Sequence, residues 1–265
     1  MIKGTNPETA GKTGCPTAVT REVSSTLGDC ALTFLERVPI DVAKAMEQHR
    51  RYAAILGELG MRVILLPADA AYPDGVFVED PAIVLDEIAV ICRPGAESRR
   101  GEADSVAEAI APFRELKWMR EPATMEGGDV VRVGRDLFVG VSPRTNREGV
   151  EQLAGIVEPF GYRVTPVEVH GCLHLKSACC SIGDSTVLIN RNWIDAGSFA
   201  GFRMIDVEEE WAADVLRIGG AVLMPDGFPK TREKLERSGF RTLAVDVSEL
   251  QKAEAGVTCM SLILD

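Results

Sequence analysis

The sequence is poor in the residues that usually announce chemistry. It holds only three histidines, His49, His170 and His174, so an imidazole-dependent activity has few candidates. Seven cysteines are present, but the number is odd and no CxxC pair occurs. That excludes a disulfide scaffold and points to reduced thiols in a cytoplasm. No stretch approaches the roughly 18 consecutive apolar residues of a membrane span. The first residues, Met1-Ile2-Lys3-Gly4-Thr5-Asn6-Pro7, lack the apolar segment of a secretory signal. Basic residues are outnumbered, 29 Lys and Arg against 40 Asp and Glu, for a net charge of −11. This balance argues against nucleic acid and anionic membranes and suits a cationic small molecule. No GxGxxG follows the first strand, which disfavours a Rossmann dinucleotide site. Gly11-Lys12-Thr13 has the look of a P-loop end, but Asn6 stands where the first Gly is required and no strand precedes it.

What is present is a globular chain of 265 residues, 46% hydrophobic and 26% charged, long enough to bury a sizeable core. Residues 1–16, rich in Gly, Thr, Pro and Lys, read as a flexible N-terminal arm. No linker divides the rest, so residues 17–265 are expected to form a single domain. Thr17–Val23 alternates as a strand, and residues 24–38 form a loop of the length used for lids. Asp41 caps a helix with Val42, Ala45, Met46, Tyr52, Ile55 and Leu56 on one face, and Gly60 stops it. His49 falls in a Gln-His-Arg-Arg run of that helix and is expected to be solvated. Met61–Pro67 reads as a buried strand, and 82–84 with 88–91 as a hairpin.

A rhythm then emerges of strand, polar turn, helix and strand. It runs from Ile88 to Met119, from Leu137 to Val167, and from Ala221 to Asp246. A weaker copy spans Thr186–Asn190 and Arg203–Ile205, and the 41–59 helix with its strand is a partial one. Five such units predict an internally repeated α/β architecture, although an ordinary doubly wound sheet also alternates in this way.

The stretch with the sharpest chemical promise is Gly256-Val257-Thr258-Cys259-Met260-Ser261, a turn feeding a buried strand with a thiol at the junction. A Cys at such a place is ordinarily a small core hydrophobe. Its candidate partner is His174, since a thiol needs a base or cation nearby to become a nucleophile. His170, Cys172 and His174 share one face of an extended segment and could instead bind zinc, with Cys179 or Cys180 as a further ligand. Their spacing matches no common zinc pattern.

Carboxylates on Gly- or Pro-constrained loops supply the rest: Asp74, Glu79-Asp80 before Pro81, and Glu126-Gly127-Gly128-Asp129. Asp129 is read as a turn residue. Acids gathered around a thiolate suit an electrophile that is itself a cation, and a guanidinium is a planar cation with a fork of donors. Arg99 and Arg144 sit at equivalent positions between strand and helix, where two arginines could clamp a carboxylate. Acids for a guanidinium and arginines for a carboxylate describe an arginine-like ligand.

Taken in order, Pro73-Asp-Gly-Val-Phe-Val-Glu-Asp-Pro81, Arg93-Pro-Gly-Ala-Glu-Ser-Arg-Arg-Gly101, Glu126-Gly-Gly-Asp129, Arg144-Thr-Asn146, Leu173-His-Leu-Lys176 and Gly256-Val-Thr-Cys-Met-Ser261 resemble the dimethylarginine dimethylaminohydrolases of the guanidine-modifying superfamily. The resemblance runs from about residue 18 to the C-terminus. It implies a five-bladed α/β propeller of ββαβ-type units and hydrolysis of N-methylated arginine to citrulline through a covalent cysteine intermediate. It implies Cys259 as nucleophile, His174 as general acid and base, and Asp80 and Glu126 as guanidinium ligands, Glu126 counted with the catalytic set. Arg99 and Arg144 would bind the α-carboxylate, Asp74 the α-amino group, and main-chain atoms of Leu27 and Ala253 would complete the pocket, with Glu79 beside it. The family often carries a bulkier residue at 253. No cofactor or catalytic metal is implied, and the partner is a small molecule, acted on by a monomer or homodimer in the cytoplasm. Arginine deimination or amidino transfer would use nearly the same residues.

Overall fold

A computed structural model describes residues 15–183 and 185–264. The arm expected over residues 1–16 lies outside these apart from Cys15 and Pro16, as does Gly11-Lys12-Thr13.

The strands follow in the order β1 (Thr17–Arg21), β2 (Arg62–Leu66), β3 (Ala82–Val84), β4 (Ile88–Ile91), β5 (Glu115–Trp118), β6 (Val130–Val133), β7 (Asp136–Val141), β8 (Arg163–Glu168), β9 (Cys179–Ser181), β10 (Thr186–Ile189), β11 (Arg203–Asp206), β12 (Leu216–Ile218), β13 (Ala221–Pro225), β14 (Arg241–Val245) and β15 (Leu262–Leu264). The helices are α1 (Val42–Glu58), α2 (Glu102–Ile110), α3 (Arg147–Val157), α4 (Leu175–Ala178), α5 (Pro229–Arg237) and α6 (Ser248–Gln251). The strands form five sheets of three, each built alike. An inner strand pairs antiparallel with a middle strand, and an outer strand returns parallel to the middle one. A helix makes that return in four of them, while a single 3₁₀ turn, Ala196–Phe199, makes it in the β9–β11 sheet. This is why the fourth copy was the weakest in the sequence. The partial first copy is completed by β15, which pairs with β1 and joins the two ends of the chain.

Side-chain alternation closes the ring. Each middle strand sends successive residues to opposite faces. Ile88 and Val90 of β4 join a core with Val130 and Leu137, whereas Ala89 and Ile91 join one with Val19 and Leu262. The same division holds at β7, β10, β13 and β1, so the five cores each lie between adjacent sheets. Buried on both faces, β4, β7, β10 and β13 read as largely apolar runs, whereas β1 also buries Thr17, Thr20 and Arg21. The inner strands surround a central cavity of about 230 Å³, to which β3, β6, β9, β12 and β15 all contribute. These are the blades and channel of a five-bladed α/β propeller.

The caps follow the sequence. Asp41 accepts from Lys44 N–H at 3.0 Å to start α1, and Asn146 accepts from Gly149 N–H at 2.8 Å to start α3. Two expectations are corrected. Strand β2 is an outer strand, paired on one edge only, and stays half exposed, Leu65 included. His49 is buried: its Nε2 lies 2.8 Å from Thr20 Oγ1, and burial lowers its pKa to about 4. It faces β1 where the sequence suggested solvent. Among the described residues no helix is long and apolar enough to cross a membrane.

Candidate active site

Cys259 lies on the turn between α6 and β15, at the mouth of the ring. It shares a small enclosed cavity with Ala31, Asp74, Phe77, Asp80, Arg99, Arg144, Leu173, His174 and Ala253–Ala255. Segments far apart in the chain, around residues 31, 74–80, 99, 144, 173–174 and 253–259, converge there, because the propeller brings their loops to one end of the ring.

The Glu126-Gly127-Gly128-Asp129 loop shows how the convergence is achieved. A Cβ on Gly127 would sit 2.2 Å from the Glu79 carbonyl oxygen, and one on Gly128 would sit 2.7 Å from His174 Nδ1 and 2.9 Å from Asp80 Oδ1. Only glycines let this loop pass between the Asp80 loop and the imidazole. Gly128 N–H donates to Asp80 Oδ1 at 3.2 Å. Asp129, read as a turn residue, is fully buried and holds three segments together. It accepts from the Leu175 N–H at 2.9 Å and from the hydroxyls of Ser142 and Thr145, both at 2.6 Å. Leu175 follows His174 and Thr145 follows Arg144, so one carboxylate fixes the approach of both. Burial raises its pKa, against the opposing pull of His174 and these donors.

His174 Nε2 lies 2.8 Å from Glu126 Oε2, and its Nδ1 lies 3.9 Å from Asp80 Oδ1. Burial alone would depress the imidazole. The negative charge of Asp80, the hydrogen bond to Glu126 and the charge of Asp129 outweigh it and push the pKa up to about 9. The site thus holds an imidazolium at neutral pH. Cys259 is only 8% exposed. Burial, then the charges of Asp214, Glu79 and Asp80, push its thiol well above the ordinary range, against the pull of the Gly256 N–H 3.4 Å from the sulfur. These causes favour the protonated thiol.

The arginines are paired internally. Arg99 Nη1 meets Asp80 Oδ2 at 2.5 Å, and its Nη2 donates to Glu102 Oε2 at 2.8 Å. Arg144 Nη1 lies 3.3 Å from Glu126 Oε1, and its Nη2 donates to Thr33 Oγ1 at 3.1 Å. Asp74 accepts from the lid amide of Ala31 at 3.1 Å. The groups expected to hold an arginine-like ligand thus hold one another, around a cavity of about 10 Å³. An arginine-sized ligand does not fit this cavity while these pairs are made.

Two expected residues stand apart. Glu79 faces the central channel, where it is ion-paired with Lys176. Leu27 is fully buried, its carbonyl accepting from Cys30 N–H, and the lid residue lining the cavity is Ala31. Thr33, Glu102 and Glu254 were not foreseen. Glu102 could have been, since it stands three residues after Arg99 at the start of a helix. His170 and Cys172 do not gather with His174. Among the described residues, the set with ligand atoms close enough for a metal is Asp80, Glu126 and His174. Its charges are already met by the imidazolium and by Arg99 and Arg144.

The family model described as eukaryotic N,N dimethylarginine dimethylhydrolase matches residues 35–200. The chain is 41% identical over 250 residues to the N(G),N(G)-dimethylarginine dimethylaminohydrolase of Streptomyces coelicolor, covering 93% of this chain and 96% of the relative. It is 39% identical over 226 residues to the enzyme of that name from Pseudomonas aeruginosa, covering 84% and 89%. The solved structure of a Cys-to-Ser variant of the Pseudomonas protein, complexed with citrulline, superposes with a TM-score of 0.90 at 37% identity, over 94% of this chain and 99% of that one. With the propeller, the Cys259–His174 cavity and these likenesses together, the chain belongs to the dimethylarginine dimethylaminohydrolase family.

Proposed function

We propose that this protein hydrolyses N-methylated arginine, N-ω,N-ω-dimethyl-L-arginine and the monomethyl form, to L-citrulline and the corresponding methylamine. The observation that carries the reading is the meeting of Cys259, His174, two carboxylates and two arginines around one cavity. The acids match a guanidinium and the arginines match an α-carboxylate.

Entry of the substrate frees Asp80 and Glu126 from the arginines to flank the guanidinium, while Arg99 and Arg144 turn to the α-carboxylate and Asp74 to the α-ammonium. Main-chain atoms of Ala253 and of the lid near Leu27 complete the pocket, with Glu79 behind it. The substrate's positive charge lowers the thiol pKa, and the Cys259 proton leaves to solvent. The thiolate attacks the guanidinium carbon to give a tetrahedral adduct. His174 gives its proton to the dimethylamino nitrogen, the C–N bond breaks, and dimethylamine departs, leaving an S-alkylthiouronium. Water then attacks the same carbon and passes a proton to His174. The C–S bond breaks as the adduct's hydroxyl proton passes to the departing sulfur, the Cys259 thiol is regenerated, and citrulline leaves. Asp80 and Glu126 supply orientation and charge. The chemistry is complete with side chains of residues 17–265 acting as one domain.

The test supplies dimethylarginine and arginine in parallel and analyses the products. Citrulline and dimethylamine from the first, with little from arginine, support the proposal. Citrulline and ammonia from arginine alone would keep the Cys259 chemistry and move the substrate. Full activity in Cys259→Ser would overturn the mechanism.

A further inference from the structure

Cys259 stands on a turn, where no sheet ladder holds it, so other contacts must aim the sulfur. From one side the Glu79 N–H donates to the Cys259 carbonyl at 3.1 Å. From the other side comes Asp214, which precedes β12 in a different blade and is 5% exposed. Its Oδ1 accepts from the Thr258 N–H at 2.9 Å and its Oδ2 from the Thr258 hydroxyl at 3.1 Å. The same carboxylate lies against Gly256. A Cβ there would meet the Asp214 carboxyl carbon at 2.1 Å and its oxygens at 2.3 and 2.4 Å. Gly256 is the residue whose N–H points at the Cys259 sulfur, 3.4 Å away. One carboxylate thus sits against Gly256 and Thr258 of the four-residue turn that presents the nucleophile, and it does so only because residue 256 has no side chain.

A buried carboxylate is an expensive brace. Burial, and secondarily the nearby charge of Glu79, raise the Asp214 pKa to about 7, against the pull of the two Thr258 donors. A neutral acceptor could take the same hydrogen bonds at lower cost. The charge also works against the nucleophile, being the first electrostatic cause of the raised thiol pKa. Geometry and charge thus pull in opposite directions at this residue.

We propose that Asp214 is a positioning residue for Cys259: through Thr258 and Gly256 it sets the turn that aims the sulfur into the His174 cavity. The inference rests on Cys259 being the nucleophile. The titratable groups around that sulfur are Asp214, Glu79, Asp80, Tyr52 and Lys176, with His174 across the cavity.

Two variants separate the two effects. Asp214→Asn keeps an oxygen for the Thr258 N–H and removes the charge. Asp214→Ala removes both. The primary readout is the pH dependence of Cys259 alkylation by iodoacetamide, followed by peptide mapping without substrate, so it does not depend on which guanidine is turned over. Steady-state kinetics is the second readout. In Asp214→Asn the alkylation profile should move to lower pH, by about one unit, and kcat should lie closer to wild type than in Asp214→Ala. In Asp214→Ala kcat should fall on the order of a hundredfold with a smaller change in KM. If Asp214→Ala does not fold, Thr258→Val decides the positioning part, since it removes the hydroxyl contact alone and should lower kcat more than it raises KM. An alkylation profile unmoved in folded Asp214→Ala, which loses both the contacts and the charge, overturns the link between Asp214 and the sulfur. Wild-type kcat in folded Asp214→Ala, or in Thr258→Val where that variant is the one measured, overturns the positioning role. A failure of dimethylarginine turnover in the wild type would instead count against the proposed function and leave the alkylation result standing.

Discussion

Glu126 Oε2 and His174 Nε2 lie 2.8 Å apart with both residues buried, and the second ring nitrogen has Asp80 on its other side. An imidazole between two carboxylates, cut off from solvent, holds its proton tightly. This is the property that a general acid for amine departure needs at neutral pH.

The first prediction is a shift of that proton. In the wild-type protein the His174 imidazole, followed by NMR without substrate, should titrate near pH 9. Glu126→Gln keeps the shape of the partner and removes its charge, so the midpoint should fall. Stability should follow. The folded pKa lies above the unfolded value, so the stabilisation is fully present below about pH 6.5 and is lost as pH rises through about 9. Denaturant midpoints measured from pH 6 to 10 should decline more steeply in wild type than in Glu126→Gln. A titration of His174 near pH 6.5 in both proteins would refute the coupling.

A second prediction contrasts two adjacent glycines. In Gly127→Ala the new Cβ meets a backbone carbonyl oxygen, which cannot move without the Glu79 loop. The substitution should cost about 1–3 kcal/mol of stability, read as a lower urea midpoint. In Gly128→Ala the Cβ meets the His174 ring and the Asp80 carboxylate, which are side chains and can shift. Stability should change less, while kcat should fall on the order of a hundredfold, because the acid is pushed out of line. Equal effects of the two changes on stability and on kcat would show that the loop tolerates either displacement in the same way.

These glycines mark the line between what the sequence disclosed and what it did not. The fold was legible because β4, β7, β10 and β13 are buried on both faces and read as largely apolar runs, each followed by a polar turn, and because Asp41 caps the first helix. The helix-free fourth unit and the half-exposed β2 were blurred for the same reason: an outer strand and a short crossover need little periodic sequence. Cys259, His174, Asp80, Glu126, Arg99 and Arg144 were nameable from their motifs. What the motifs did not disclose is their mutual pairing, such as Arg144 with Glu126, which flank β6 and β7 and meet only when that blade has folded. His49 was misread because the Arg-rich run around it hides that position 49 shares a face with Ala45 and Tyr52. Asp129, Asp214 and Glu254 carry no local signature, since a bracing carboxylate is defined by the amides it finds in space.

The last prediction concerns Glu254 and the lid. Its carboxylate accepts from three consecutive lid amides, those of Thr33, Phe34 and Leu35. The residue itself is held at φ 60°, a left-handed conformation that a Glu adopts only under constraint. The lid it fastens also donates Ala31 N–H to Asp74 and offers Thr33 Oγ1 to Arg144. On the proposed function, the latch therefore places the two lid groups that would compete with the substrate's α-ammonium and α-carboxylate for Asp74 and Arg144. Glu254→Ala strips the acceptor from three amides and should release the lid. Two opposed effects on KM follow. Loss of competition favours substrate, but an unfastened lid no longer closes over it, and ordering it again costs conformational entropy. Each lid residue to be re-fixed costs about 1–2 kcal/mol, more than a neutral hydrogen bond returns, at about 0.5–1.5 kcal/mol. The entropy should win, so KM should rise, on the order of tenfold, with kcat much less affected. Limited proteolysis should cut within residues 28–38 faster than in wild type. A variant whose KM falls, with the lid cut no faster, would show that the latch opposes binding.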